Sequence, residues 1–130
     1  MANQFRCAYA TDKYEATVEF YREGLGLEIE ESWDRSDTDK GTLFKAASGI
    51  IEVVKRSTDK SHGEWESHHP QGFTIVIEAD NVDEFYKRLS GRELNITEGL
   101  TNQKWGHRSF RVSDPNGVSL YFFSDIQTNR

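Results

Sequence analysis

The chain has 130 residues and a mass of 15.0 kDa, which is room for one compact domain or for two half-domains that share a core. Its net charge is −6 and its basic residues are scattered doublets such as Lys55-Arg56, which argues against a nucleic-acid partner. It lacks both an apolar stretch of membrane-spanning length and the apolar start of a signal peptide, and its single cysteine, Cys7, cannot form an internal disulfide. We therefore expect a cytoplasmic protein with no membrane partner.

The first half of the chain predicts a strand, a helix and three further strands. Thr11 and Asp12 are typical helix caps, and the apolar spacing from residue 15 to residue 25 predicts an amphipathic helix. Gly24 and Gly26 favour an end to this helix because glycine readily adopts the left-handed conformation. The strands are predicted at residues 5–10, 27–33, 42–46 and 50–55.

The second half repeats this order of elements. Asn81 can cap a helix that ends at Gly91, and the apolar residues of this helix fall on one face. Those apolar residues are Val82, Phe85, Tyr86 and Leu89. The strands are predicted at residues 73–79, 93–97, 105–112 and 118–124.

The connections are predicted from glycine and polar residues. Residues 35–41 are interpreted as a solvated turn and residues 98–104 as a loop. Gly49 is expected to take a positive φ in the turn between the third and fourth strands. Residues 113–117, of sequence SDPNG, are typical of a tight turn in which Gly117 is free to take a positive φ.

The two halves also share literal sequence. Glu19-Phe20-Tyr21-Arg22 and Glu84-Phe85-Tyr86-Lys87 occupy equivalent places, which indicates an internal duplication with a period of about 65 residues. We therefore predict a first module over about 1–57, a linker over about 58–71 and a second module over about 72–126. Because a helix covers only one face of a small sheet, we expect an α+β fold in which two curved mixed sheets enclose a cleft and the helices lie outside.

Two sequence segments resemble motifs of the vicinal oxygen chelate superfamily. They are FYREGLGL, within residues 19–27, and WGHRSFRVSDPNG, residues 105–117. That superfamily includes glyoxalase I, bleomycin-binding resistance proteins, fosfomycin resistance enzymes and extradiol dioxygenases. The resemblance covers nearly the whole chain. It implies paired βαβββ modules and a homodimer.

The resemblance also implies where a metal would bind. Catalytic relatives hold a divalent ion with His or Gln on the first strand of each module and Glu on the last. Counted back from the helix caps Asp12 and Asn81, the first-strand positions fall on Phe5 and Thr74. Counted along the last strands, the Glu positions fall on Glu52 and Tyr121. Only Glu52 is a good ligand, and a shift of two residues, which puts Cys7 in place of Phe5, still leaves the set short. We expect no cofactor, with a divalent metal at Glu52 left open.

Glu52 lies within an otherwise apolar strand, on the same face as Ile50 and Val54. One interpretation is a carboxylate that faces the cleft and acts as a general base or as an acceptor for a ligand N–H group or cation. The alternative is an edge-strand glutamate that faces water.

The aromatic surplus of three Trp, five Tyr and eight Phe favours a ring-lined binding site. By alternation, Phe5, Cys7 and Tyr9 share one strand face, as do Tyr121 and Phe123, and we place both sets on the cleft side. Core packing is the alternative for each single ring. The candidate ligand-binding residues are Phe5, Cys7, Tyr9, Glu52, Thr74, Trp105, His107, Arg111, Tyr121 and Phe123.

The remaining reactive side chains each have a structural interpretation beside the functional one. Arg111 shares a face with His107 and is expected to pair with Glu52 or an anionic ligand group, or else to face solvent. His62, His68 and His69 are interpreted as parts of a solvated linker, because adjacent histidines on an extended chain point in opposite directions. Cys7 is interpreted as a small hydrophobic residue rather than a nucleophile.

Three functions are compatible with these features. The first is metal-free binding of a small molecule in an aromatic-lined cleft, similar to the bleomycin-binding proteins. The second is a metal-dependent lyase, isomerase or dioxygenase with a site assembled around Glu52, with His107 or a linker histidine recruited across a dimer. The third is an interaction module without a ligand.

Overall fold

The computed structural model describes residues 4–56 and 68–126. They form two compact units. The first unit contains the chain up to Gln71 together with Pro115–Gly117, and the second contains Gly72–Asp114 and the chain from Val118 onward. Each unit is a four-stranded mixed sheet with one helical segment, as the βαβββ pattern predicts.

The first unit runs β1, α1, β2, β3 and β4, and the strand order in its sheet is β1-β4-β3-β2. β1 is parallel to β4 and the other neighbours are antiparallel. The helix α1 continues directly into a π-helical turn. The bounds are β1 Phe5–Thr11, α1 Tyr14–Glu19, the π-helical turn Phe20–Gly24, β2 Ile29–Ser36, β3 Asp39–Ala46 and β4 Gly49–Lys55.

The second unit runs β5, α2, β6, β7 and β8 in the equivalent order β5-β8-β7-β6. Again the first and last strands are parallel. The bounds are β5 Thr74–Glu78, α2 Val82–Ser90, β6 Asn95–Asn102, β7 His107–Ser113 and β8 Ser119–Asp125.

A helical segment covers one face of each sheet with apolar side chains, as its periodicity predicts. In the first unit Tyr21 and Leu25 are buried, and the Tyr21 ring lies 5.4 Å from that of Phe44. In the second unit Phe85 contacts Phe122 at a ring distance of 4.9 Å. Burial of such rings is the main favourable term that holds helix and sheet together.

Two segments that were predicted as a turn and a loop belong mostly to strands in the structure. β2 and β3 extend through most of residues 35–41 and leave only residues 37–38 as the turn. β6 extends to Asn102 through most of the predicted loop over 98–104. Both β2 and β6 are edge strands with register shifts, and a half-solvated edge strand needs few apolar residues.

Two predicted local conformations are also wrong. The helix α1 begins at Tyr14 without a side-chain cap, because Thr11 belongs to β1 and its Oγ1 accepts the N–H of Lys13 at 2.8 Å. In the β3–β4 turn the positive φ, 53°, belongs to Ala47 and not to Gly49. A Cβ on Gly49 would lie 3.1 Å from the carbonyl oxygen of Phe5, so close approach of β1 explains this glycine.

The remaining turns follow the sequence. Asn81 caps α2 by accepting the N–H of Glu84 at 3.1 Å, and Gly117 takes a positive φ of 89°. Most of the predicted linker, up to residue 67, lies outside the described residues. None of the helices described here is long and apolar enough to cross a membrane.

Candidate functional site on the second sheet

The register of the second sheet defines a face that α2 does not cover, which we call the open face. β7 and β8 pair Arg111 with Tyr121 and Ser109 with Phe123, so these side chains share one face. Phe110 and Phe122 pair on the other face and contact α2 through Phe85. The prediction that Tyr121 and Phe123 lie away from the helix is therefore confirmed.

Three polar atoms meet on this open face. The indole Nε1 of Trp105 lies 3.1 Å from Nδ1 of His107 and 3.1 Å from the hydroxyl of Tyr121. Nδ1 of His107 and the Tyr121 hydroxyl are 3.0 Å apart. Trp105 is 61% exposed whereas Tyr121 is only 5% exposed. The indole thus presents a solvent-facing ring beside a buried phenol.

The His107 ring is held on its other sides by Phe123 and Asp125. The imidazole stacks on Phe123 with centroids 3.9 Å apart and planes 17° from parallel. Nε2 of His107 lies 3.6 Å from Oδ1 of Asp125. The neutral tautomer that satisfies these neighbours carries its proton on Nε2, towards the carboxylate, and accepts at Nδ1.

Arg111 supplies the cation of this face. Its guanidinium carbon lies 4.7 Å from the centroid of Tyr121, and Nη1 donates to Ser119 at 3.3 Å. Its Nε lies 3.7 Å from Glu98, whose carboxylate also accepts a bond from Gln103 at 3.2 Å. Arg111 is therefore anchored within its own sheet through Ser119 and Glu98, and its pairing with Glu52 stays a prediction.

Three residues of this face were not predicted from the sequence. Asp125 follows Tyr121 and Phe123 by strand alternation and was outside the predicted strand end. Glu98 and Gln103 were assigned to a loop, although Gln103 bonds both Glu98 and Ser109. The available signal was the two-residue period of β8, which places Asp125 beside His107.

Thr74 also lies on the open face, because β5 pairs Thr74 with Ser119 and Val76 with Tyr121. Both β5 residues are exposed, and Val76 keeps 59% of its surface accessible. The open face thus continues from the His107 cluster to the edge strand β5.

Glu52 lies on the helix-free face of the first sheet. β1 pairs Ala8 with Glu52, so Arg6 and Ala8 share its face. Nη1 of Arg6 lies 3.5 Å from the carboxylate, and the Glu52 side chain is 22% exposed. The carboxylate is therefore paired and partly solvated.

The same register corrects the placement of Phe5, Cys7 and Tyr9. These residues lie on the opposite face from Glu52, the face that the helical segment covers. Tyr9 is buried and shares a 2.8 Å hydrogen bond with the hydroxyl of Tyr21. Phe5 is 76% exposed at the start of the strand. A one-residue difference in register reverses the faces of a strand. The count from the helix caps therefore predicted the wrong face for these three residues.

Burial raises the pKa of the Cys7 thiol above its ordinary value of 9.0. A raised thiol pKa lowers the thiolate fraction at neutral pH, and the thiolate is the nucleophile. The interpretation of Cys7 as a small hydrophobic residue agrees with this direction.

The donor set within each sheet does not fit the divalent ion of catalytic relatives. The first-strand neighbour of Glu52 is Ala8, and that of Tyr121 is Val76. Neither side chain can bind a metal, and a phenol at residue 121 replaces a carboxylate. Across residues 4–56 and 68–126, no three His, Cys, Asp or Glu side chains are grouped to hold an ion.

The two described linker histidines have separate environments. His68 is exposed, and Nε2 of His69 lies 2.8 Å from the carbonyl oxygen of Asn116. His62 lies outside the described residues. The hydrogen bond of His69 to a backbone carbonyl is a structural contact rather than a metal-ligand arrangement.

A depression of about 410 Å³ adjoins the His107 cluster through Asp125. It lies at the start of α2, and Arg108, which lines it, pairs with Asp83 at 2.9 Å. The aromatic side chains named above do not line it. We therefore take the aromatic open face, and not this polar depression, as the candidate site.

Comparisons with solved structures identify the fold. TioX from Micromonospora sp. ML1 superposes with a TM-score of 0.76 at 16% identity, over 96% of this chain and 100% of that chain. A lactoylglutathione lyase from Agrobacterium tumefaciens gives 0.71 at 20% identity, over 95% and 94%. TnmS3, an antibiotic-binding protein from Streptomyces sp. CB03234, gives 0.69 at 17% identity, over 96% and 97%.

No curated protein matches the sequence. A family model described as "Glyoxalase/Bleomycin resistance protein/Dioxygenase superfamily" matches residues 4–122. This match begins before β1, ends within β8, and includes both sequence segments on which the resemblance depends. The chain therefore belongs to the Glyoxalase/Bleomycin resistance protein/Dioxygenase superfamily.

Proposed function

We propose that the chain binds a flat, amphipathic small molecule on the open face of its second sheet, without a metal ion. The observation that carries this proposal is the cluster of Trp105, His107, Tyr121 and Phe123, in which rings stack and polar atoms converge. The exposed Trp105 ring offers apolar contact area, and the indole, imidazole and phenol groups offer directional hydrogen bonds. Arg111 beside Tyr121 favours a ligand with an anionic group.

Two further findings support binding. Members of the superfamily bind small molecules, and one structural neighbour, TnmS3, is described as an antibiotic-binding protein. The first-strand residues that pair with Glu52 and Tyr121 are Ala8 and Val76, which offer no metal donor, and this supports a metal-free mode. Nothing in this mode requires a covalent step.

The test is a titration with naphthoate, which combines a flat ring system with one carboxylate. We expect saturable binding by calorimetry, weakened about 3- to 10-fold in Trp105→Ala, since one aromatic contact contributes roughly 0.5–1.5 kcal/mol. Trp33→Phe is the matched control, because Trp33 belongs to β2 in the other unit. Equal losses in the two variants, or no saturable binding, would contradict the proposal.

A second candidate function is a metal-dependent lyase, isomerase or dioxygenase with a site assembled around Glu52. The observation in its favour is that Glu52 lies on a helix-free face, partly accessible, as a ligand would require. The discriminating measurement is elemental analysis of the purified protein together with Glu52→Gln. A stoichiometric divalent ion that this variant loses would favour the enzyme and reject the metal-free mode.

We also propose that the protein is a cytoplasmic homodimer, as the resemblance to its superfamily implies. Light scattering coupled to size-exclusion chromatography measures the mass directly. A species at the 15.0 kDa of a single chain would reject the dimer.

A further inference from the structure

The hydroxyl of Tyr121 is positioned to exchange a proton with His107. The Trp105 indole N–H can only donate, whereas Nδ1 of a neutral imidazole that is protonated at Nε2 can only accept. The Tyr121 O–H therefore donates to Nδ1 over 3.0 Å while its oxygen accepts from the indole over 3.1 Å. If the proton moves to Nδ1, both His107 and Trp105 donate to the phenolate oxygen, while the indole N–H loses Nδ1 as its second acceptor.

The neighbours of this pair are a carboxylate, an aromatic ring and a guanidinium. Asp125 lies 3.6 Å from Nε2 of His107, and the Phe123 ring stacks on the imidazole at 3.9 Å. On the other side, the Arg111 guanidinium carbon lies 4.7 Å from the centroid of the Tyr121 ring. Arg111 is paired with Glu98 at 3.7 Å.

We propose that Tyr121 and His107 form a proton-transfer pair that gives this face a metal-free general-base activity towards weakly acidic C–H groups of flat ligands. The inference rests on the proposed binding at the same face and goes beyond it, because it assigns a reaction class. Tyr121 is the catalytic residue that touches the substrate, and His107 receives its proton. Asp125 is a positioning residue, which holds the imidazole with Nδ1 towards the phenol.

Access to the phenol depends on Trp105. Tyr121 is 5% exposed, and the indole over it is 61% exposed. Trp105 precedes Gly106, whose φ is 94°, in the connection between β6 and β7. A flat ligand reaches the Tyr121 oxygen by displacing this indole, which then stacks on the ligand instead.

Nitrobenzisoxazole is a suitable probe because it is flat and its ring opens when a base removes its single ring C–H proton. As Tyr121 takes that proton and passes its own to His107, the C–H electron pair forms the carbon–nitrogen triple bond. The N–O bond breaks and its electron pair stays on oxygen, which gives a coloured cyanonitrophenolate. The product is ionised at neutral pH, and the imidazolium then returns its proton to water. No oxidant, reductant or metal is consumed.

We expect the full chain to open the probe faster than free imidazole at the same concentration. Tyr121→Phe and His107→Gln are each expected to lower kcat/KM by about 100-fold, the low end of what general-base catalysis contributes. Asp125→Asn is expected to lower kcat by about 10-fold with KM unchanged. His68→Gln is the matched histidine control and should keep the wild-type rate, because His68 is exposed and belongs to the first unit.

Nitrogen NMR of the imidazole provides a readout that does not depend on the probe. We expect His107 to carry its proton on Nε2, and the Nδ1 resonance to shift in Tyr121→Phe. A proton on Nδ1 in the neutral imidazole would overturn the inference, because that atom could not then accept from Tyr121. A wild-type rate no greater than that of free imidazole, or an unchanged rate in Tyr121→Phe, would also overturn it.

The naphthoate titration separates the two proposals. If wild type binds naphthoate but opens the probe no faster than free imidazole, the proton-transfer inference fails and the binding proposal stands. If naphthoate does not bind, the binding proposal itself fails. Retained naphthoate affinity in Asp125→Asn, together with a slower reaction, would confirm a positioning role.

Discussion

At the residue scale, Gly41 shows how one missing side chain places an aromatic ring. β2 pairs Trp33 with Gly41, and a Cβ on Gly41 would overlap the indole carbons. The indole Nε1 donates to Asp39 at 3.1 Å, and the Arg35 guanidinium lies 5.7 Å from the ring centroid. The ring is therefore held against the backbone of β3 by a glycine that the sequence reading assigned to a solvated turn.

We predict that Gly41→Ala destabilises the protein by about 1–3 kcal/mol, because the added methyl group must displace the Trp33 indole. Urea unfolding followed by tryptophan fluorescence measures the change. Gly91→Ala is the matched control: its φ is −86° and a Cβ there meets nothing within 4 Å. If the two variants were equally stable, the packing of Trp33 on Gly41 would be wrong.

Register has larger consequences for single residues than composition does. Tyr9 lies on the edge strand β1 and Tyr121 on the inner strand β8, and both are buried phenols. Tyr9 bonds Tyr21 beneath the helical segment, whereas Tyr121 bonds His107 on the open face. Their different roles follow from the face on which each one lies, and that face depends on the count along the strand.

At the element scale, the two helices begin in different ways. α2 has a side-chain cap from Asn81, acidic residues in its first turn and basic residues in its last turn. These charges complement the helix dipole. α1 lacks a side-chain cap and passes into a π-helical turn that ends at Gly24. The duplicated units therefore keep their order of elements while their helix termini differ.

Removal of the α2 cap should cost stability. We predict that Asn81→Ala lowers the free energy of unfolding by about 1 kcal/mol, because the N–H of Glu84 loses its acceptor. Asn81→Ser is the matched control, since a serine hydroxyl also caps a helix. Equal destabilisation of the two variants in urea unfolding would show that the cap is not the cause.

The strands that were predicted least well are the edge strands. β2 and β6 each pair with a single neighbour and carry polar residues on both faces. Hydrophobic alternation is weak in such a strand because solvent reaches its free edge. The central strands β4 and β8 were predicted to within a residue at each end, because both of their faces carry apolar side chains.

At the scale of the whole molecule, ligand addition should raise the stability of the protein, whereas metal removal should leave it unchanged. We predict that dialysis against a chelator leaves the melting temperature unchanged, because the strand positions beside Glu52 and Tyr121 carry Ala8 and Val76. Naphthoate at about 100 times its Kd should add roughly 2.7 kcal/mol to the free energy of unfolding, by mass action. A lower melting temperature after chelation would contradict metal-free binding, and so would a naphthoate shift that persists in Trp105→Ala at full size.

The net charge of −6 also acts on the whole molecule. It favours solubility and weakens any general attraction to anionic ligands. Recognition of an anionic group must therefore come from local cations, and Arg111 is the one that lies beside the aromatic cluster of the second sheet. Affinity for naphthoate should accordingly depend on this residue more than on overall charge.

The sequence by itself determined the duplication, the order of strands and helices, the apolar faces of both helices and the helix-free position of Tyr121 and Phe123. Each of these follows from local periodicity, which a single chain carries in full. The sequence segments at residues 19–27 and 105–117, which resemble the superfamily, also indicated the family that the family model confirms.

Only the tertiary structure decided which face of β1 lies under the helical segment, and which side chains surround His107. Pairing of Ala8 with Glu52 placed Tyr9 beneath the helical segment. Pairing of His107 with Asp125 brought an acid to an imidazole that is separated from it by most of two strands. The physical reason is the same in both cases: side chains alternate along a strand, so their neighbours depend on register between strands, which backbone hydrogen bonds set in three dimensions.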